Sequence, residues 1–208
     1  MLKYLSDKEK LIYVDIGAHK GHFFDLIKSC RKIERAVLVE PIPNLFNDLS
    51  LKYKSDINIS VVNKIIMDET GYLDFFINKL PETSSIYKFK ESIKEIDTIE
   101  TGISKKISAS ACSLDELAKE TSVNHIDLLK IDVQGAEHLV LNNGDTILKN
   151  TKLIWIEVSF KPLYEGSSTF FDIYNILDKK GFALIEIHPG YRSSKNELLQ
   201  ADALFRKI

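Results

Sequence analysis

Two cysteines in 208 residues, Cys30 and Cys112, are too few for a disulfide framework and lack the Cys-x-x-Cys spacing of a metal site. Their settings, one amphipathic and one β-like, make both thiols candidates for burial or half-burial. No apolar run approaches the roughly 20 residues that cross a bilayer. The start, Met1 to Lys10, alternates charged with apolar residues where a signal peptide would have an apolar core, so a cytoplasmic protein with no membrane insertion is expected. A basic tract is missing too: 28 Lys and Arg are spread among 30 Asp and Glu for a net charge of -2, which leaves no footprint for a nucleic acid backbone. Solenoid repeats and low-complexity linkers are absent. What is present, 44% apolar and 28% charged residues, fits one globular domain over residues 1–208.

Apolar periodicity organises that domain. Leu11 to Ile16 reads as a strand ending at Asp15-Ile16-Gly17, and Gly21 to Cys30 places Phe23, Phe24, Ile27 and Cys30 at helical spacing. Ala36 to Val39, closed by Glu40-Pro41, and Asn44 to Tyr53 repeat the unit. Ile57 to Met67 is expected as a third strand, followed by the turn Asp68-Glu69-Thr70-Gly71 and a β-rich Tyr72 to Ile77. The segment 79–110 has weak periodicity and reads as an irregular excursion with a short helix near Ser92, a lid or acceptor-side cover. Ser113 and Glu116 form a capping box that opens a helix. Strands at His125 to Ile131, Leu153 to Val158, Phe182 to Ile187 and Ala201 to Phe205 follow, with helices from Ala136 and over Thr169 to Lys180. The expected fold is α/β, a doubly wound, mostly parallel seven-stranded sheet with helices on both faces and a final antiparallel strand.

In such a sheet ligands bind beyond the carboxyl ends of the strands where strand order reverses, beside the first strand. Asp15-Ile16-Gly17-Ala18-His19-Lys20-Gly21 belongs there, with Gly17 for the sharp turn and Gly21 for helix entry and ligand room. The dinucleotide fingerprint would need glycine at position 19, and its third glycine falls on His22. A bulky pyrophosphate is therefore disfavoured, and a phosphate-free nucleoside such as S-adenosylmethionine suits the turn better. Asp15 could face that ligand's ammonium. Glu40, 23 residues beyond Gly17, sits close to the ~20-residue offset at which an acid reaches a ribose. A nicotinamide-dependent oxidoreductase would share Gly17 and Glu40, and a non-catalytic nucleoside-binding protein of the same fold is a further alternative.

These blocks, with Val39-Glu40-Pro41, Ser84-Ser85, Leu129-Lys130-Ile131-Asp132-Val133-Gln134-Gly135-Ala136-Glu137 and Asp202-Ala203-Leu204-Phe205, resemble the FkbM family of S-adenosylmethionine-dependent methyltransferases. The Lys-Ile-Asp-Val-x-Gly-x-Glu block is the most specific. His19 stands where the family commonly has asparagine, and Gln134 where it frequently has glutamate. The resemblance implies a class I Rossmann-like fold and O-methylation of a glycan, glycoside or secondary metabolite. It does not name the acceptor or the oligomeric state.

Methyl transfer to an alcohol needs an oriented acceptor oxygen and a route for its proton. Asp132, at the end of its strand, is the leading base, and it also counts among the cofactor contacts. Glu157 could pair with it, for base catalysis or around a hard cation. Gln134 adds only a neutral oxygen there, so no metal is assigned. Glu137 lies in the first turn of a helix, where a carboxylate is favoured whatever its function. Lys130 suits a structural ion pair. His19 and His188 stand at strand-end loops and could act as bases. Ser84 and Ser85 fall in the lid, while Asn63 and Asp68 could bond adenine. Trp155 reads as core, and Phe160, Tyr164, Phe170 and Phe171 as candidates for an acceptor pocket.

Overall fold

A computed structural model describes residues 2–5, 10–90 and 102–208 of the chain. Strands β1 (Lys10–Ile16), β2 (Lys32–Val39) and β3 (Ile59–Val62) are followed by the short β4 (Ile65–Ile66), then β5 (Gly71–Asn78) and β6 (Ile103–Cys112). Further on come β7 (Ile126–Ile131), β8 (Thr151–Ser159), β9 (Phe182–Pro189) and β10 (Gln200–Lys207). The helices are α1 (His22–Cys30), α2 (Pro43–Tyr53), α3 (Leu114–Glu120), α4 (Glu137–Asn142), α5 (Asp145–Lys149) and α6 (Phe170–Lys179).

Seven strands form the main sheet in the order β3-β2-β1-β7-β8-β10-β9. The first five in that order run parallel, and β10 lies antiparallel between β8 and β9. Order reverses at β1, whose neighbours are β2 on one side and β7 on the other, so the crevice expected of such a sheet opens at the ends of these three strands.

Alternation along the strands explains the layers. On one face Tyr13, Leu38, Leu128 and Leu153 meet Phe24 and Ile27 of α1 and Leu49 and Tyr53 of α2. On the other, Val14, Val37, Leu129 and Ile154 meet Leu114, Val140, Leu148, Ile173 and Leu177 from α3 to α6. Both faces are covered, which is what a parallel sheet requires and why β7 is buried at every position. The Ser113 hydroxyl accepts from the Glu116 N–H at 3.1 Å and the Glu116 carboxylate accepts from the Ser113 N–H at 2.8 Å, so the capping box opens α3 as expected.

Three expectations need correction. The stretch Ile57 to Met67 is not one strand, because the Asn63 side chain donates to the Glu40 and Pro41 carbonyls (2.8 and 3.0 Å) and turns the chain out of the main sheet between β3 and β4. Much of the excursion is regular: β6 pairs antiparallel with β5 and parallel with β4 in a second, three-stranded sheet. Its first half is exposed, so only the ladder, and no buried stripe, marks it as a strand. The short helix expected near Ser92 falls outside the described residues. Finally, Cys30 is exposed at the end of α1, whereas Cys112 is buried.

Candidate active site

The turn after β1 is built from backbone. Gly17 and Ala18 both donate their N–H to the Val39 carbonyl (3.0 and 2.9 Å), tying the turn to the end of β2. Gly17 has φ +86°, and a Cβ there would fall 1.9 Å from the Asp132 carbonyl oxygen, so only glycine lets the turn lie against the end of β7. Gly21 serves packing: a Cβ would come within 2.8 Å of the Tyr53 hydroxyl and 2.9 Å of Leu49, on α2. It does not line the ligand cavity, so room for a ligand is not its contribution.

A cavity of about 460 Å³ opens at the ends of β1, β2 and β7 and reaches β8 and β10. That volume suits a nucleoside-sized ligand. Gly17, Ala18, His19, Glu40, Pro41, Ser84 and Asp132 line it. The second sheet and the loop that follows β5 form another wall through Phe75, Glu82, Ser84 and Ile86.

Glu40 is 3% exposed, and its two oxygens accept the N–H groups of His19 and Ile42, each at 2.8 Å. Burial pushes its carboxyl up to about 7, against the pull of those two bonds. His19 holds a left-handed backbone (φ +50°), and its Nε2 is buried without a hydrogen-bond partner. Burial lowers its imidazole below the usual value, which favours the neutral ring.

Asp132 is held from two sides. Its Oδ1 accepts from Gln134 Nε2 at 2.8 Å, and its Oδ2 from Lys130 Nζ at 3.4 Å. Gln134, also left-handed at φ +58°, gives a second amide bond to Glu157 at 2.9 Å, and its own oxygen accepts from the Tyr164 hydroxyl at 2.9 Å. A neutral amide thus stands between the two carboxylates considered as a pair. Gln200 donates to the same Glu157 oxygen at 2.8 Å. Burial and the charges of Asp132, Glu137 and Asp202 push Glu157 well above the usual carboxylate range. Among the described residues no three His, Cys, Asp or Glu side chains are grouped to hold a metal ion.

Several sequence candidates lie behind the wall. Asp15 is fully buried: Oδ2 accepts from the Tyr13 hydroxyl at 2.7 Å, while Oδ1 faces Lys130 Nζ at 3.3 Å. Burial raises its carboxyl, and Lys130 and Tyr13 oppose the rise. Lys130, in turn, lines the cavity. Burial works against its charge, but Asp15 and Asp132 outweigh that and raise the ammonium. Glu137 accepts the N–H groups of Val133 and Gly135, both at 3.1 Å, and so holds the loop after β7. Ser85 donates to the Gln134 carbonyl at 2.8 Å and is buried outside the cavity. Asn63 is spent on the Glu40 and Pro41 carbonyls. Asp68 lies away from the cavity, its carbonyl accepting from Asn143. Exposed His188 sits against Glu186 at 3.1 Å.

Trp155, expected in the core, is half-buried and lines the cavity, as do Asp202 and Phe23, to which sequence reasoning assigned no role in a site. Phe160 and Phe170 pack on each other at 5.5 Å and Phe171 is exposed, so none of that cluster lines it. Tyr164 reaches the site only through Gln134. Strand alternation puts Trp155 with Lys130 and Glu157 with Asp202, but the register that shows this belongs to the sheet.

A family model described as the methyltransferase FkbM domain matches residues 15–184. The chain belongs to the FkbM methyltransferase family. Its relatives include the 2-O-methyltransferase NoeI of Sinorhizobium fredii, 26% identical over 180 residues that cover 83% of this chain and 73% of that protein. Among solved structures, an FkbM methyltransferase from Methylobacillus flagellatus aligns with TM-score 0.58 and 16% identity, covering 95% of this chain but 44% of the other. The present chain therefore spans less than half the length of that protein. Fibrillarin from Aeropyrum pernix, solved with bound S-adenosyl-L-methionine, aligns with TM-score 0.54 and 12% identity over 95% of this chain and 67% of its own. At these identities the structural likeness concerns the fold, which is that of the class I methyltransferases.

Proposed function

We propose that this FkbM-family protein transfers a methyl group from S-adenosylmethionine to a hydroxyl of a sugar, a glycan precursor or a related small metabolite. The observation that carries the reading is the cavity at the strand-order reversal, walled by the Gly17 turn, the buried acid Glu40 and the rim acid Asp132. His19 occupies the place where a diphosphate would need a bare backbone, and its orphaned Nε2 leaves a polar group for a ligand to satisfy. The 2-O-methyltransferase relative supports a hydroxyl acceptor.

S-adenosylmethionine, when bound, supplies an electrophilic methyl on a sulfonium. The remaining work falls to the chain. Glu40 keeps a free lone pair on each oxygen after accepting from His19 and Ile42, enough to accept two ribose hydroxyls. Asp132 takes the acceptor's proton, its carboxylate aimed by Gln134 and Lys130. Glu82, Ser84 and Ile86 exclude water from the opposite wall. No metal enters this reading, and a net charge of -2 fits a small-molecule or glycan acceptor better than nucleic acid.

The test is thermal shift with S-adenosylmethionine, S-adenosylhomocysteine and NAD, followed by labelled methyl transfer to fractionated small-molecule and polysaccharide extracts. Stabilisation by the two adenosyl compounds and label in a glycan or small-molecule fraction is expected. Stabilisation by NAD alone overturns the reading.

A further inference from the structure

Strand order lays the cavity out as a ruler. Glu40 follows β2, Gly17 follows β1, Asp132 follows β7, Trp155 lies in β8 and Asp202 in β10, and these strands are consecutive neighbours. At about 4.8 Å per strand, Glu40 to Asp132 spans roughly 10 Å and Asp132 to the β10 position roughly another 10 Å. The first interval is the cofactor's in the proposed reading. The second is unassigned.

Its lining is distinctive. Phe23 and Trp155 sit 5.7 Å apart between ring centroids, and His188 packs on Trp155 at 4.9 Å, so the indole is braced by rings on α1 and β9. Trp155 is half-buried and forms an apolar wall with a polar N–H. Asp202 stands beside it, directly across the ladder from Glu157. Burial raises the Asp202 carboxyl, Asp132 adds to that, and Lys130 and the Trp155 indole oppose it. The cation at this end, Lys130, is already engaged by Asp15 and Asp132. Of the other basic residues in the lining, His19 and Lys20 belong to the β1–α1 turn, His22 opens α1, and Lys64 is paired with Glu120.

An aromatic wall beside acids, with the cation at that end already engaged, matches one ligand chemistry. A pyranoside offers an apolar C–H face for the rings and hydroxyl donors for the carboxylates. A carboxylate or phosphate on the sugar would meet Asp132 and Asp202 with the neighbouring ammonium of Lys130 already shared between Asp15 and Asp132. We propose that the β8–β10 end of the cavity is the acceptor subsite, that it takes an uncharged pyranoside in preference to an anionic one, and that Trp155 and Asp202 select it. This rests on the methyltransferase reading above.

Trp155 is the single tryptophan of the chain, so its fluorescence reports this subsite alone. The protein, saturated with S-adenosylhomocysteine, is titrated with methyl glycosides of neutral hexoses and 6-deoxyhexoses, and separately with methyl glucuronide and glucose 6-phosphate. At least one neutral glycoside is expected to change the emission saturably, with the anionic sugars about tenfold weaker or worse. Asp202→Asn, checked as folded by its S-adenosylhomocysteine affinity, is expected to bind the neutral glycoside about tenfold more weakly and to lose most of the discrimination. Trp155→Phe, followed by saturation-transfer NMR, retains binding where Trp155→Ala loses it. Equal or tighter binding of the anionic sugars, or no response to any neutral glycoside while S-adenosylhomocysteine still binds, overturns the subsite and leaves the cofactor reading standing. Failure of S-adenosylhomocysteine itself to bind overturns both.

Discussion

Cofactor binding should expel a proton from Glu40. Its surroundings hold this carboxyl at about 7 instead of 4.5, because burial strips it of water while two backbone N–H groups only partly compensate. Two ribose hydroxyls donating to its free lone pairs would favour the charged form and draw the value back down. The free protein then carries the proton below pH 7 and the complex does not, so affinity must rise with pH and level off above 7. If the complex regains the ordinary value, the coupling approaches 3 kcal/mol, and the dissociation constant for S-adenosylhomocysteine falls about 70-fold between pH 5 and pH 8. Calorimetry in two buffers of different ionisation enthalpy should count close to one proton released near pH 6. Glu40→Gln provides the control: it cannot titrate, and it leaves the His19 or Ile42 N–H without an acceptor, so binding is weaker at every pH but flat. A flat profile in the native protein, with no proton released, would refute the ribose role and the electrostatics assigned to Glu40.

Other consequences follow from the same buried polar row. Lys130→Met leaves the fully buried Asp15 without its counter-ion, and urea melts should show a loss of about 3–5 kcal/mol, partly recovered by adding Asp15→Asn; equal stability of the single variant would sink the pairing. Glu137, pushed up to about 7 by burial, binds its proton more tightly when folded, so its contribution is fully present below the ordinary carboxyl range and is lost as pH rises through 7. Glu137→Gln keeps an oxygen for the Val133 and Gly135 N–H groups and should match the native protein below about pH 4 but exceed it by up to ~3 kcal/mol at pH 8, measured by denaturant titration. Exposed Cys30 should react with a thiol reagent at once, whereas Cys112, 2% exposed and raised to about 11 by burial, should react only on unfolding; two fast thiols would contradict the packing of β6.

Much of this protein was written in local pattern. The strand–turn–helix at residues 11–30, the Ser113–Glu116 box and the alternation of buried strands with amphipathic helices arise from short-range sterics and hydrogen bonding, so the sheet, the reversal point and the place of the Gly17 turn were legible from residue order. Glu40 was legible for the same reason: it ends a strand at a set offset from that turn. What tertiary structure alone decided are the contacts that join residues far apart in the chain. Gly21 met α2, Gln134 came between Asp132 and Glu157, and β10 slipped between β8 and β9 to carry Asp202 beside Trp155. β6 could not be foreseen because its first half is exposed, and an exposed strand advertises itself only through its partner. Periodicity tells which way a side chain points from its own element; which neighbour it meets there is set by strand order and register, and those depend on the whole chain closing at once.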